Sequence, residues 1–311
     1  MSTEKQKIII GSRGSDLALW QAHFVEKKLT DLGHLVELKI IKTKGDKITN
    51  VSFDKIEGKG FFTKELEAEL LNGSIDLAVH SYKDLPTEDP DGLCICASSY
   101  RESPIDCLVI DKAAFDESQI FSLKKNALVG TSAPRRIAEL MHHRPDLDFK
   151  AIRGNVPTRL GKTGNEVDAV VLADAGLSRL QLDLSKYEVI RLDPTKVVPA
   201  PAQGVLAYQT RIDDENLKNI LQNINDEAVA ECVNVERSIL KNLEGGCQKP
   251  VGVYCIKEDG LFKVWASYAM MPEGDANLVD KLRKVNLMKI FQSNENPVAL
   301  IENTLKFYEY V

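Results

Sequence analysis

Apolar residues in this chain gather in short runs, and most runs end in a polar turn followed by apolar positions at helical spacing. Lys7-Ile8-Ile9-Ile10 predicts a strand, Gly11-Ser12-Arg13-Gly14-Ser15 a turn, and Leu17, Trp20, Phe24 and Leu29 one face of a helix. A second strand at 36–41 leads into 43–60, a polar stretch with little periodicity that reads as a functional lid or a disordered segment. A helix over 62–71 returns the chain to Ser74-Ile75-Asp76-Leu77-Ala78-Val79, a strand running into His80-Ser81-Tyr82-Lys83-Asp84-Leu85-Pro86. Pro86 has no N–H to give a ladder, so the strand stops before it.

Further strands are expected at 93–98, 107–110, 127–130, 149–152 and 168–173, with helices after several of them. Arg101-Glu102-Ser103-Pro104 reads as a crossover into a second domain, and the Pro/Gly-rich 198–204 as the crossover back. From about 226 the texture changes. A helix with Val229, Cys232, Val233, Val235 and Leu240 ends at Glu244-Gly245-Gly246. Two strands, 251–256 and 261–266, then flank the hairpin signal Asp259-Gly260, and a helix over 298–308 closes the chain. The expected organisation is α/β in three parts: 1–103 with 202–222, then 104–201, then a small α+β domain over 223–311.

Composition narrows the partners. The 311 residues are 43% hydrophobic and 28% charged, and the net charge of -6 argues against binding driven by nucleic-acid phosphates. Any anion site must come from local clustering of basic residues. No apolar run reaches the length of a membrane span, and the N-terminus lacks a signal-peptide core, so a cytoplasmic protein is expected. The six cysteines, Cys94, Cys96, Cys107, Cys232, Cys247 and Cys255, form no Cys-x-x-Cys pair, and the histidines have no zinc-type spacing. Neither a disulfide framework nor a metal is expected. Gly161-Lys162-Thr163 looks like the end of a phosphate-binding loop, but Val156 stands where its first glycine is needed.

The candidate chemistry lies at the strand ends. Arg13, Arg135, Arg136, Arg153, Arg159 and Arg179 each follow a strand-to-helix turn, where side chains from separate turns can meet around a polyanion. Lys83 and Asp84 sit together at the lip of a buried strand, the place where open α/β sheets bind ligands. On this segment alone the pair reads first as a solvated strand end, since charged loop ends are common. Cys247 lies in the glycine-flanked turn Gly246-Cys247-Gln248; a nucleophile, a covalent anchor and a thiol filling a turn all remain open.

Together these stretches resemble the porphobilinogen deaminase (hydroxymethylbilane synthase) family nearly end to end. The motifs are Gly11-Ser12-Arg13, Leu17-Ala18-Leu19-Trp20-Gln21-Ala22, Gly58-Lys59-Gly60-Phe61-Phe62-Thr63-Lys64-Glu65-Leu66-Glu67, His80 through Pro86, Gly130-Thr131-Ser132 with Arg135-Arg136, Arg153-Gly154-Asn155, and Leu243-Glu244-Gly245-Gly246-Cys247. The resemblance implies a cytoplasmic, monomeric transferase of tetrapyrrole synthesis that joins four porphobilinogen molecules head to tail, with ammonia leaving at each coupling. It implies two periplasmic-binding-protein-like (type II) α/β domains plus a small α+β C-terminal domain, and a dipyrromethane cofactor held through a thioether to Cys247. Asp84 matches the catalytic carboxylate. Arg13, Ser15, Ser81, Lys83, Thr131, Ser132, Arg135, Arg136, Arg153, Asn155, Arg159, Arg179 and Gln203 match positions that bind cofactor or substrate, with Lys55 and Lys59 on the loop over the cleft.

Two departures stand out. Ala133-Pro134 replaces a Ser-Leu common before the paired arginines, and Ala202-Gln203-Gly204 replaces the usual Gly-Gln-Gly, a change expected to stiffen the crossover. The rival reading is a non-catalytic carboxylate-binding protein of the periplasmic type, which needs neither Cys247 nor a third domain and normally carries a signal peptide.

Overall fold

The computed structural model describes residues 7–43, 63–243, 249–272, 274 and 276–309. Backbone contacts divide the chain into two compact units, Met1–Glu102 with Val205–Ala230 and Ser103–Gly204 with Glu231–Val311.

The first unit is a five-stranded sheet with helices on both faces. Its strands are β1 (Lys7–Ser12), β2 (Leu35–Ile40), β3 (Leu77–Ser81), β4 (Leu93–Ser98) and β10 (Leu206–Arg211), in the order β2-β1-β3-β10-β4. β1 runs parallel to β2 and β3, whereas β10 is antiparallel to β3 and β4. Helix α1 (Asp16–Asp31) lays Ala22, Val25 and Leu29 on one face, against Ile8, Ile10, Leu77 and Val79. Complete burial of side chains such as Ile8 and Ile10 contributes roughly 1.5–3 kcal/mol each. Helix α2 (Lys64–Leu71) covers the other face with Leu66 and Leu70, packed on Ile75 and Ala78.

Strand β10 was not visible in the hydrophobic pattern, and its burial explains why. It is buried along most of its length, yet it carries Gln209 and Thr210. Each polar side chain is satisfied inside the sheet: Gln209 by His80, and Thr210 by its hydroxyl donating to Asp76 O at 2.9 Å.

The second unit holds two sheets. One contains β5 (Asp106–Asp111), β6 (Leu128–Gly130), β7 (Asp148–Lys150), β8 (Ala169–Ala173) and β9 (Tyr187–Arg191) in the order β7-β6-β8-β5-β9. It repeats the layout of the first sheet: three parallel strands, one antiparallel strand, then a fifth. The described residues thus hold two five-stranded sheets of like strand order, each with helices beside it, and a small third sheet, the α/β architecture with an added α+β part. The helices that follow β6, β7 and β8 are α3 (Pro134–His143), α4 (Val156–Leu160) and α5 (Asp174–Leu180).

In the first unit, α6 (Glu215–Gln222) packs Leu217, Ile220 and Leu221 on the sheet that holds β10. The third sheet is an antiparallel meander of β11 (Val251–Glu258), β12 (Leu261–Tyr268) and β13 (Met288–Asn294). Its core is shared with α7 (Glu227–Asn242) and α9 (Pro297–Glu309), through Val235, Ile239, Val253, Val264 and Leu300. The expected hairpin is present. Asp259 and Gly260 both have positive φ, 52° and 80°, as a two-residue turn joining twisted strands requires. A short helix, α8 (Leu278–Leu282), precedes β13 and was not expected from the sequence.

The crossover at 198–204 is fastened at several points within the second unit. Arg135 Nη1 donates to Val198 O at 2.8 Å, Val253 N–H to Pro199 O at 3.0 Å, and Ala202 N–H to Glu236 Oε2 at 2.6 Å. Ala202 is fully buried with φ 61°, the left-handed region, so the departure from glycine places a Cβ where it costs about 1–2 kcal/mol of backbone strain. The other departure has a milder effect. Ala133 occupies the N-cap of α3 without a side chain able to cap, and its own N–H donates to Thr131 Oγ1 at 3.2 Å.

Candidate active site

Because β1 and β3 are parallel, their C-terminal ends share one edge of the first sheet. β1 delivers Arg13 and Ser15 there. β3 ends at Ser81 and enters a single 3-10 turn, Tyr82–Asp84, closed by the Leu85 N–H on Tyr82 O at 3.2 Å. Pro86 follows, so the chain leaves the sheet and the turn projects Lys83 and Asp84 from its edge.

These ends enclose a cavity of about 110 Å³, with apolar walls that include Leu17, Leu66, Val79 and Leu85 and a polar lining of Arg13, Ser15, Gln21, His80, Ser81 and Asp84. Asp84 is the one carboxylate among the described lining residues, and it is exposed; Arg13 is half-buried. A larger hollow of about 480 Å³, bounded by Lys28, Tyr100 and residues 223–227, is lined by none of the candidates among the described residues.

Two contacts set the lining. Gln21 Nε2 donates to Ser81 Oγ at 2.8 Å, tying α1 to the end of β3. His80 Nε2 lies 3.0 Å from Gln209 Oε1. A carboxamide oxygen only accepts, so Nε2 carries the proton and Nδ1 keeps its lone pair. Burial holds the His80 pKa down at about 4; the Gln209 bond opposes that shift and the charge of Arg13 adds to it. His80 and Gln209 had no role assigned from the sequence, though His80 stands inside the motif. The missing signal was β10, which brings Gln209 across the sheet.

In the second unit the same geometry recurs at the C-terminal ends of β6, β7 and β8, which run parallel. The β6 end carries Thr131, Ser132, Arg135 and Arg136; the β7 end Arg153, Asn155 and Arg159; the β8 end Arg179. The paired arginines are more buried than an open anion grip suggests, 6% and 7% exposed. Both clasp Asp106, at 2.7 Å from each Nη2, and Arg136 also donates from Nη1 to Val171 O at 2.9 Å. Gln203 is fully buried and gives its amide N–H groups to Pro104 O and to Asp106 Oδ1. Asp106 was not singled out in the sequence, where a lone Asp opening a strand carries no distinguishing pattern.

Other candidates also serve the local fold. Asn155 caps α4 by accepting from Thr158 N–H at 2.9 Å, Ser132 Oγ donates to Ile152 O at 2.8 Å, Arg159 Nε donates to Gly154 O at 2.8 Å, and Arg179 Nη2 to Gly204 O at 2.8 Å. Lys55, Lys59 and Cys247 lie outside the described residues. The cysteines of β4 and β5 behave as core fillers: burial pushes the Cys96 thiol up to about 12 and raises Cys107 further.

Comparison with known proteins decides among the readings. Residues 8–219 match the family model "Porphobilinogen deaminase, dipyromethane cofactor binding domain", and residues 230–266 match "Porphobilinogen deaminase, C-terminal domain". The chain belongs to the porphobilinogen deaminase family. The porphobilinogen deaminase of Nitratiruptor sp. is 41% identical over 93% of this chain and 89% of its own length. That of Chlorobium chlorochromatii is 39% identical over 97% and 95%, and that of Maridesulfovibrio salexigens 44% identical over 83% of each. Among solved structures, the methionine-binding protein MetQ is similar over 74% of this chain and 94% of its own, with a TM-score of 0.44 and 16% identity.

As a member of this family the chain is a transferase of tetrapyrrole biosynthesis with a dipyrromethane cofactor. The donors at the ends of β1 and β3 suit such a group: a pyrrole bearing acetate and propionate needs hydroxyls and a guanidinium, and Ser15, Ser81 and Arg13 line the cavity of the first unit. No helix among the described residues is long and apolar enough to cross a membrane.

Proposed function

We propose that this protein is a hydroxymethylbilane synthase, condensing four porphobilinogen molecules head to tail with loss of ammonia and releasing linear hydroxymethylbilane by hydrolysis. The observation that carries this reading is the Asp84 carboxylate, set on a 3-10 turn in a cavity where Arg13 is the other charged group among the described lining residues. A porphobilinogen unit offers carboxylates for the arginine and an ammonium and pyrrole N–H for the aspartate. When bound, the dipyrromethane supplies the pyrrole carbon on which the chain is extended.

The residues of the chain divide the remaining work. Asp84 gives or shares a proton with the departing amine and steadies positive charge on the pyrroles. Arg13, Ser15, Ser81 and Lys83 hold carboxylates at the first sheet edge, and Thr131, Ser132, Arg153, Asn155, Arg159 and Arg179 hold them at the second. Arg135 and Arg136 use the N–H groups not already given to Asp106, Val198 O and Val171 O, with Gln203 steadying that aspartate. Lys55 and Lys59 are assigned to cofactor and substrate carboxylates, and Cys247 to the thioether that tethers the cofactor. The work is divided among domains 1–103 with 202–222, 104–201 and 223–311. The buried thiol of Cys107 supports a reducing, cytoplasmic setting, and the protein acts as a monomer.

Intact mass spectrometry of purified protein tests this reading. A covalent dipyrrole increment that disappears in Cys247→Ser is expected. Bare polypeptide mass without turnover, after incubation with porphobilinogen to reconstitute any apo form, would contradict it.

A further inference from the structure

Helix α3 carries Arg135 and Arg136 in its first turn and Glu139 in its second, so the arginines and the carboxylate belong to one rigid element. Glu139 is fully buried, and its partners come from the third sheet. Ser267 Oγ on β12 donates to Glu139 Oε1, and Lys289 Nζ on β13 donates to Oε2 at 2.9 Å. Lys289 also donates to Lys196 O, two residues before the Val198 carbonyl that receives Arg135.

The far end of the helix is fastened by the same domain. Arg283, just beyond α8, donates to Pro145 O at 3.0 Å, Leu147 O at 2.9 Å and Asp148 Oδ1 at 2.7 Å. Between the two ends, Ile137 and Met141 pack against Leu278, Val279 and Leu282. A buried carboxylate whose partners sit on another domain makes separation of the two costly, because it leaves an unpaired charge in a low-dielectric setting.

We infer that Glu139 is a positioning residue for substrate binding, which locks the arginine helix to the third sheet so that carboxylate grip and C-terminal domain share one frame. The inference rests on the reading that Arg135 and Arg136 bind pyrrole carboxylates. Glu139 touches no substrate; it acts by fixing α3 and the register of the arginines on Asp106.

Steady-state kinetics with porphobilinogen, run well below the melting temperature on cofactor-loaded protein, tests it. Glu139→Gln is expected to raise KM about fivefold or more with kcat within about twofold, because binding geometry and not chemistry is disturbed. Lys289→Met should shift KM the same way by stranding the carboxylate. The double variant Glu139→Gln with Lys289→Met, which leaves neither charge unpaired, should recover part of the loss. Ser267→Ala is the milder variant should Glu139→Gln fail to fold. A lowered melting temperature with KM unchanged would overturn the inference, as would a double variant with no recovery. Arg136→Lys is the control. KM raised there but unchanged in Glu139→Gln defeats this inference alone; KM unchanged in Arg136→Lys defeats the arginine reading and the inference with it.

Discussion

The Nε2–H of His80 donates to Gln209 Oε1 at 3.0 Å, which fixes a neutral imidazole in the wall of the cavity that holds Asp84. The pair spans 129 residues of sequence and exists because β10 returns antiparallel beside β3.

Its consequence is a pH dependence of stability. In the unfolded chain His80 takes a proton near its ordinary value of 6.5, whereas in the fold it refuses one until about 4. As pH falls through that window the unfolded state binds a proton the native state does not, so stability drops with acid. The His80 contribution is complete above 6.5, and roughly 2 to 3 kcal/mol of it is gone by about pH 4.5. Denaturant titrations across this range should show a flatter profile in His80→Gln than in the unsubstituted protein. Parallel profiles would contradict the assignment.

Asp106 is the common partner of Arg135 and Arg136, with its own side chain fully buried. Removing its charge in Asp106→Asn leaves two buried guanidiniums sharing one neutral acceptor, and a loss of about 3–5 kcal/mol is expected. Urea melts would report it. A loss below about 1 kcal/mol would mean that solvent reaches the arginines and the buried clasp is not what holds them.

Gly252 on β11 owes its identity to the crossover. A Cβ there would lie 2.7 Å from Val198 O and 2.6 Å from Ser267 Oγ, and the neighbouring Val253 N–H donates to Pro199 O. Gly252→Ala should therefore cost about 1–3 kcal/mol through overpacking against backbone that cannot step aside. Gly260, which faces open space at positive φ, offers a contrast: Gly260→Asn there should be tolerated, since asparagine accepts the left-handed region.

The strand-turn-helix units were legible because their chemistry is local. Ile8 and Ile10 announce a buried strand, Gly11 to Ser15 a turn, and Leu17 through Leu29 an amphipathic helix, and the structure places β1 and α1 there. Pro86 likewise marked the end of β3 and the turn that presents Asp84. What escaped was non-local. β10 hid because its buried Gln209 and Thr210 look polar until their partners His80 and Asp76 are known. Asp106 and Glu139 look like ordinary charges in sequence, and only tertiary packing turns them into buried hubs. The recurrence of arginines at strand ends did mark the C-terminal edge of the parallel strands in the second sheet, but not that Arg135 and Arg136 spend donors on an internal carboxylate.

The claim on which the rest depends is that Asp84 serves the chemistry and not the scaffold. Asp84 is exposed on a turn whose backbone is closed by Leu85 and Tyr82, so Asp84→Asn should leave the fold intact. The direct measurement is the single-turnover rate of porphobilinogen consumption and ammonia release by Asp84→Asn protein whose intact mass shows a full dipyrrole increment. The rate should fall by about 100-fold or more, in line with loss of a positioned acid. An unchanged rate in the loaded variant would remove Asp84 from the mechanism.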